Sequence, residues 1–489
     1  MKNEREQKLQ KGFRAQSYYK DLNSHEQTKP MTSAQKTQIL EGPIVKTLFV
    51  LGWPVMISEL LYVMYTIVDT FWLGKLGGDE STYAVAALQI SWPVVFLLIA
   101  IAFGFGSAGV ALVSQYTGAG KRKEANISAG QVLSLSLLFG LTLGLLGFIF
   151  SPAIVHFLGI HKGTAEVATT YLQIISLGMP LMCMSMIFGF ILRAYGDTKT
   201  PMKVEAISVF INVVLDPILI FGLWGFPRMA VTGAALATVF SQGVACAIAL
   251  YLLFSGKVGI KVTLPDLKPI KWRILQILRI GVPASIGNSG TAFGFVILMF
   301  IIARLPDQSV VLAAYGVANK VTDLMFVVIE GLGVGVATML GQSLGADNMK
   351  RAGEVAKKGM LVMFLVLLAA AAFMYSVREL VIQVFIDNAD VIAEGANFIR
   401  LFVFGMAFFG VFKAVIASFV GSGHNIPTMV LDVVRLWVLR IPLVYVFGFV
   451  LGWNSSGVWF ALALSNALSA ACALALFETG IWKKKVTKE

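Results

Sequence analysis

Residues 211–222 read INVVLDPILIFG, inside an apolar run long enough to cross a bilayer as a helix. Asn212 and Asp216 stand four apart, so a helix puts them on one face. Pro217 follows at once. It has no N–H to give, and its ring crowds the carbonyl of Val213. One short segment therefore offers a carboxylate, an amide and a freed carbonyl at membrane depth. A charge there costs about 2.5–3.5 kcal/mol on insertion scales. The expectation is that the cost is tolerated because a cation or proton binds at this segment and drives transport.

The rest of the chain suits such a setting. Of 489 residues, 57% are apolar and 13% are charged, with mean hydropathy +0.79; soluble domains run at about 25% charged. This is the composition of an all-α polytopic membrane protein. Cys183, Cys246 and Cys472 sit in apolar stretches and form no disulfide framework, and the four His lack ligand spacing. The net charge of +12 fits basic loops facing the cytoplasm rather than nucleic acid. The first forty residues are polar and lack the apolar core of a signal peptide. With Lys2, Arg5, Lys8, Lys11 and Arg14 at its start, residues 1–44 read as a solvated cytoplasmic tail.

Twelve apolar stretches follow, at 45–73, 84–115, 126–151, 165–193, 203–224, 231–254, 275–303, 309–343, 355–377, 391–421, 429–451 and 456–482. Basic connections at 121–123 (KRK), 193–203, 257–273, 350–358 and 483–488 alternate with short or acidic ones, which puts both termini in the cytoplasm of a cell-membrane protein. An even number of spans requires the same.

The second half repeats the first. Gln115-Tyr-Thr-Gly-Ala-Gly answers to Gln342-Ser-Leu-Gly-Ala-Asp at an offset of 227, as do Gly178 to Gly405, Gly196 to Gly423 and Met202 to Met429. Six helices per half give both halves one orientation: a parallel internal repeat, two six-helix lobes. The first lobe is 45–254, a cytoplasmic linker 255–274, the second lobe 275–482, and a basic tail 483–489. The repeat also acts as a control. In the register that pairs Gly52 and Pro54 with Gly281 and Pro283, Asp69 falls against Leu298; at 227, Asn212 falls against Leu439 and Asp216 against Leu443; in the register that pairs GAALATVFSQ (233–242) with GVWFALALSN (457–466), Thr238 falls against Leu462. The scaffold is duplicated and these polar residues are not, which favours function over architecture.

Helical arithmetic puts Asp69, Asn212, Asp216 and Thr238 in the outer half of the first lobe. Two carboxylates, an amide and a hydroxyl supply oxygen ligands for a hard cation such as sodium. A proton is the other candidate, since burial and a second carboxylate both favour a protonated carboxyl.

The motifs VDTFWLGKLGG (68–78), GFGSAGVALVSQYTGAGKRKEA (104–125), ILRAYGDTKTPM (191–202), NVVLDPILIFG (212–222) and GAALAT (233–238), in this order and spacing, resemble those of the multidrug and toxic compound extrusion (MATE) transporters. The first-lobe pattern looks like that of the archaeal and DNA-damage-inducible F-like branch. The resemblance implies a V-shaped two-lobed antiporter driven by H+ or Na+, with no other cofactor. Residue by residue it assigns coupling to Asp69, Asn212 and Asp216, and to Thr238 less firmly because Thr232 is near. Its cargo would be amphipathic, mostly cationic compounds, and the chain would work as a monomer in the bilayer.

In the second lobe Asp323 and Glu330 stand seven apart on one helical face. Lys413, Arg435 and Arg440 also fall in apolar stretches. Ion pairs between these acids and bases are the expectation; the alternative is a secondary acidic site for cationic cargo at Asp323 and Glu330, with Glu330 the better candidate, and Glu59 is a further candidate for lining the central cleft. The alternative transporter is a flippase for lipid-linked precursors, which needs a cationic central cavity. An enzyme is disfavoured, as no HExxH, GxSxG or P-loop occurs.

Overall fold

The computed structural model describes residues 33–158 and 162–487. The basic residues Lys2 to Arg14 lie outside the described residues. Twelve apolar helices of membrane-crossing length follow one another among the described residues. They are α1 (Ile44–Gly74), α2 (Gly78–Gly118), α3 (Arg122–Phe157), α4 (Lys162–Tyr195), α5 (Lys199–Phe221), α6 (Ala230–Ser255), α7 (Lys271–Ile302), α8 (Gln308–Gly345), α9 (Met349–Ser376), α10 (Ala389–Phe402 and Gly405–Ser422), α11 (Asn425–Val450) and α12 (Asn454–Glu478). A short helix, Ser33–Leu40, precedes them.

Helix α3 shows how such sequences fold. Leu138, Leu141, Leu145 and Ile149 recur every three or four residues and are more than half exposed, a lipid-facing stripe. Gly140, Gly144 and Gly147 take the opposite face. A Cβ at Gly144 would stand 2.5 Å from the carbonyl oxygen of Ser176, so only glycine lets α3 and α4 approach this closely. Small residues at such spacing are the usual contact surface of membrane helices.

Helices α1–α6 pack into one lobe and α7–α12 into a second. The lobes meet where α1 and α2 cross α7 and α8. The bonds joining them are concentrated toward the end where α2 and α8 finish. Gln342 Nε2 donates to the carbonyls of Ala194 and Tyr195 at 3.0 and 3.1 Å. Gln115 Nε2 donates to the carbonyls of Gly421 and Ser422 at 3.2 and 3.1 Å. Gly118 and Gly345 are equally reciprocal: a Cβ on each would fall 2.0 and 1.9 Å from the carbonyl oxygens of Gln342 and Gln115.

The tenth span differs from the continuous helix expected over 391–421. Its α-helix stops at Phe402 and restarts at Gly405. The first piece is capped by Asn388, whose Oδ1 accepts from the amides of Asp390 and Val391. The residues around the break, Leu401 to Met406, are apolar or glycine and no proline marks it, so hydropathy gave no sign of it. The connection between lobes is ordered. Gln131 Nε2 on α3 donates to the carbonyls of Asp266 and Lys268, and its Oε1 accepts from the amide of Ile270. The fully buried Arg273 then pairs with Glu124 and donates to Tyr116 Oη.

Candidate functional site

Four buried polar side chains converge in the first lobe. Asp69 comes from α1, Asn212 and Asp216 from α5, and Thr238 from α6; none is more than 4% exposed. The four-residue spacing on α5 does what helical geometry requires, and Asn212 Nδ2 donates to Asp216 Oδ1 at 3.3 Å. The Asp69 carboxyl lies within hydrogen-bonding reach of Asp216 and of the Tyr65 hydroxyl. Tyr65 Oη donates to Thr238 Oγ1 at 2.8 Å, and Thr238 Oγ1 donates to the Ala234 carbonyl at 3.0 Å. Pro217 lies inside α5 next to Asp216 without interrupting the helix.

This network is short of donors. Asp69 Oδ1, Asn212 Oδ1 and Asp216 Oδ2 are buried and accept no hydrogen bond. Buried polar atoms are almost always satisfied, so three orphan acceptors together ask for an explanation. Two carboxyl groups in contact away from water cannot both stay ionised without a positive charge between them. A proton fits this need, and so does a hard cation that prefers oxygen ligands. Among the described residues no group of three or more His, Cys, Asp or Glu is arranged for a metal ion. The oxygen set here, two carboxyls with an amide and hydroxyls, is not the nitrogen or sulfur set of a transition metal.

Tyr65 was not among the expected residues. It stands four residues before Asp69, the spacing that places two side chains on one helical face. That signal was present, although an aromatic residue in an apolar helix usually reads as packing. Tyr171 of α4, 8% exposed, lies near both carboxyl groups.

A second polar cluster lies between the lobes. Glu59 is half-buried beside Glu330, Arg193, Glu205 and Lys413, one helical turn beyond Met56, whose side chain touches the α8 backbone at Gly331. Lys413 Nζ and Glu330 Oε1 are 2.9 Å apart, with 30% and 46% of the side chains exposed. Asp323 does not join them; its neighbouring charge is Lys320. Arg435 is buried over the rings of Phe409 and Phe412, 5.1 and 5.5 Å from their centres, with Asp432 as its counter-charge. Arg440 departs from the expected ion pairing: it donates to Ser465 Oγ and Asn466 Oδ1 and has no acid partner among the described residues. Glu205 and Asp432 were also unexpected members of these clusters.

Comparison with known proteins gives one consistent result. The MatE family model matches residues 54–218 and 283–446, one block in each lobe. The probable multidrug resistance protein YoeA of Bacillus subtilis is 26% identical over 435 residues, 88% of this chain and 93% of that protein. An FAD transporter of Shewanella oneidensis is 26% identical over 434 residues, 88% and 93% of the two chains. A solved outward-facing conformation of a multidrug resistance MATE family transporter superposes with a TM-score of 0.84 at 24% identity, covering 94% of this chain and 99% of that one.

Proposed function

We propose that this chain, which belongs to the MatE family of transporters and is not an enzyme, is a multidrug efflux antiporter that exchanges a proton or sodium ion for amphipathic, mostly cationic compounds. The observation that carries this reading is the trio of buried acceptor oxygens on Asp69, Asn212 and Asp216 with no donor between them. A coupling ion would be held by those oxygens, with Tyr65 and Thr238 orienting the Asp69 side of the chamber. Binding would neutralise the carboxyl pair and let α1 and α5 close on each other. Cargo release on the far side of the membrane would follow from that repacking. The relatives named for multidrug resistance support efflux as the direction of transport.

In this mechanism both termini are cytoplasmic and the lobes are joined on the cytoplasmic side. A flippase for lipid-linked precursors finds less support. Lys413 is engaged by Glu330 and Arg435 lies over aromatic rings, so neither offers an open cationic cleft to a pyrophosphate.

The test is dye efflux from proteoliposomes energised separately by a sodium gradient and by a pH gradient. One of the two should drive transport in the native protein, and Asp216→Asn should slow that gradient-driven transport by about 5–150-fold. Full gradient-driven efflux by Asp216→Asn would overturn the proposal.

A further inference from the structure

The two lobes carry opposite charge in corresponding helices. In the first lobe, α5 brings Asp216 about 25 Å from its start at Lys199, at 1.5 Å per residue. In the second lobe, α11 corresponds to α5 and brings Arg440 about 22 Å from its start at Asn425 by the same arithmetic. Arg440 is 5% exposed, and its partners Ser465 and Asn466 on α12 are 0% and 1% exposed. Nε donates to Ser465 Oγ at 3.0 Å and Nη2 to Asn466 Oδ1. The Tyr315 hydroxyl of α8 is close by. All of these partners are neutral.

The local backbone adds a second charge. Residues Val434–Arg440 form a π-helical stretch. Its hydrogen bonds run between residues five apart, which brings Arg435 and Arg440 toward one face. Such stretches are frequent at functional sites. Arg435 is also 5% exposed, and its Nε is buried without a partner. The acids nearby do not balance the bases. Glu330 is matched by Lys413 and Asp432 by Arg435; Asp323 lies near Tyr315 as well but has Lys320 as its counter-charge. One guanidinium, that of Arg440, is left over. Removing an unpaired charge from water is expensive unless an opposite charge goes with it.

We infer that the second lobe binds a small monovalent anion at Arg440, held by the guanidinium and the Tyr315 hydroxyl, since the Ser465 hydroxyl already donates to the Leu462 carbonyl. The ligand is either an inorganic halide or the carboxylate of a bound organic molecule; both present one negative charge to a guanidinium fork. This inference does not depend on the coupling role given to Asp69 and Asp216, and its readout is binding rather than transport.

The experiment measures thermal unfolding of the purified full-length protein at constant ionic strength. Methanesulfonate is replaced in turn by chloride and by benzoate. Binding to the folded state alone should raise the unfolding midpoint by about 2–4 °C. A rise with chloride identifies an inorganic anion, and a rise with benzoate alone identifies a carboxylate. Arg440→Gln should lose the response. Should that variant fail to fold, Ser465→Asp serves instead, because it gives Arg440 a tethered carboxylate and should make the protein indifferent to the anion. A native protein indifferent to both anions would overturn the inference. So would a Ser465→Asp variant that responds as the native protein does.

Discussion

Gln115 and Gln342, 227 residues apart in equivalent helices of the two lobes, each donate from the side-chain amide to the last carbonyls of a helix in the opposite lobe. The exchange is mutual. Gln115 of α2 holds the end of α10, and Gln342 of α8 holds the end of α4. Gln115 has a further role, since its Oε1 accepts from the amides of Val486 and Thr487 at 3.2 and 3.3 Å. Gln276 Nε2 holds the Val486 carbonyl at 2.6 Å, and Lys485 pairs with Asp347. The carboxy-terminal segment is thus tied to both lobes at their joined end.

These bonds must break if the lobes part at that end. Each amide makes two of them, at about 1 kcal/mol net apiece. Replacing either Gln115 or Gln342 by Leu should therefore favour the parted state by about 2 kcal/mol, roughly 30-fold in population. Spin-label distances between Lys121, in the loop after α2, and Lys350, in the first turn of α9 after α8, will report it. The expected result is a new population of longer distances in either variant, larger when both are changed.

The carboxyl pair should behave as one unit. Asp69→Asn and Asp216→Asn should each lower gradient-driven transport by about 5–150-fold, the usual range of coupling between two sites. The double variant should be no worse than the more impaired single one, because residues sharing a network are not additive. Initial rates of dye efflux from proteoliposomes will measure this.

Tyr65→Phe removes the hydroxyl that donates to Thr238 and reaches Asp69. The loss of one hydrogen bond, about 0.5–1.5 kcal/mol, should raise the coupling-ion concentration for half-maximal transport by about 2–12-fold. Thr238→Val should shift it in the same direction, and the two changes together should add less than their sum.

Lys413 and Glu330 form a partly exposed ion pair, so its net worth is small, about 0–1 kcal/mol. Lys413→Gln should lower the thermal midpoint slightly and Glu330→Gln similarly. The exchanged variant, Glu330→Lys with Lys413→Glu, should recover the native midpoint if the pair acts through charge alone.

His424 lies between α10 and α11, and burial lowers its pKa below the ordinary 6.5. Its Nδ1 is 3.1 Å from Ser422 Oγ. A ring kept neutral in the fold costs nothing above pH 6.5. As the pH falls below that, the unfolded chain takes up the proton first and stability is lost until the folded ring also protonates. Comparison of thermal midpoints at pH 7.5 and 5.5 should show a smaller acid loss in His424→Gln than in the native protein.

Much of this architecture was legible in the chain. Twelve long apolar runs can only be helices in lipid, because every backbone group must be satisfied internally. Asp69, Asn212, Asp216 and Thr238 stood out because polar atoms are costly at that depth and because the repeat places Leu opposite each. Tyr65 did not stand out, since an aromatic side chain carries no such cost. The gap in α10 was hidden by apolar residues on both sides. Gln115 and Gln342 were visible as a repeated pair, yet their grip on the opposite lobe is a tertiary contact between residues more than 140 positions apart. The solitude of Arg440 was hidden for a related reason. Acids and bases can be counted along a sequence, but which of them meet depends on how the helices are rotated.

In the proposed mechanism, Asp69 and Asp216 hold the ion that cargo binding releases. The most direct measurement is ion release from the purified protein on addition of an organic cation, read with a pH indicator in weak buffer and in parallel with radioactive sodium. The native protein should release one of the two ions, and Asp69→Asn and Asp216→Asn should release neither. Equal release from the native protein and from Asp216→Asn would contradict it.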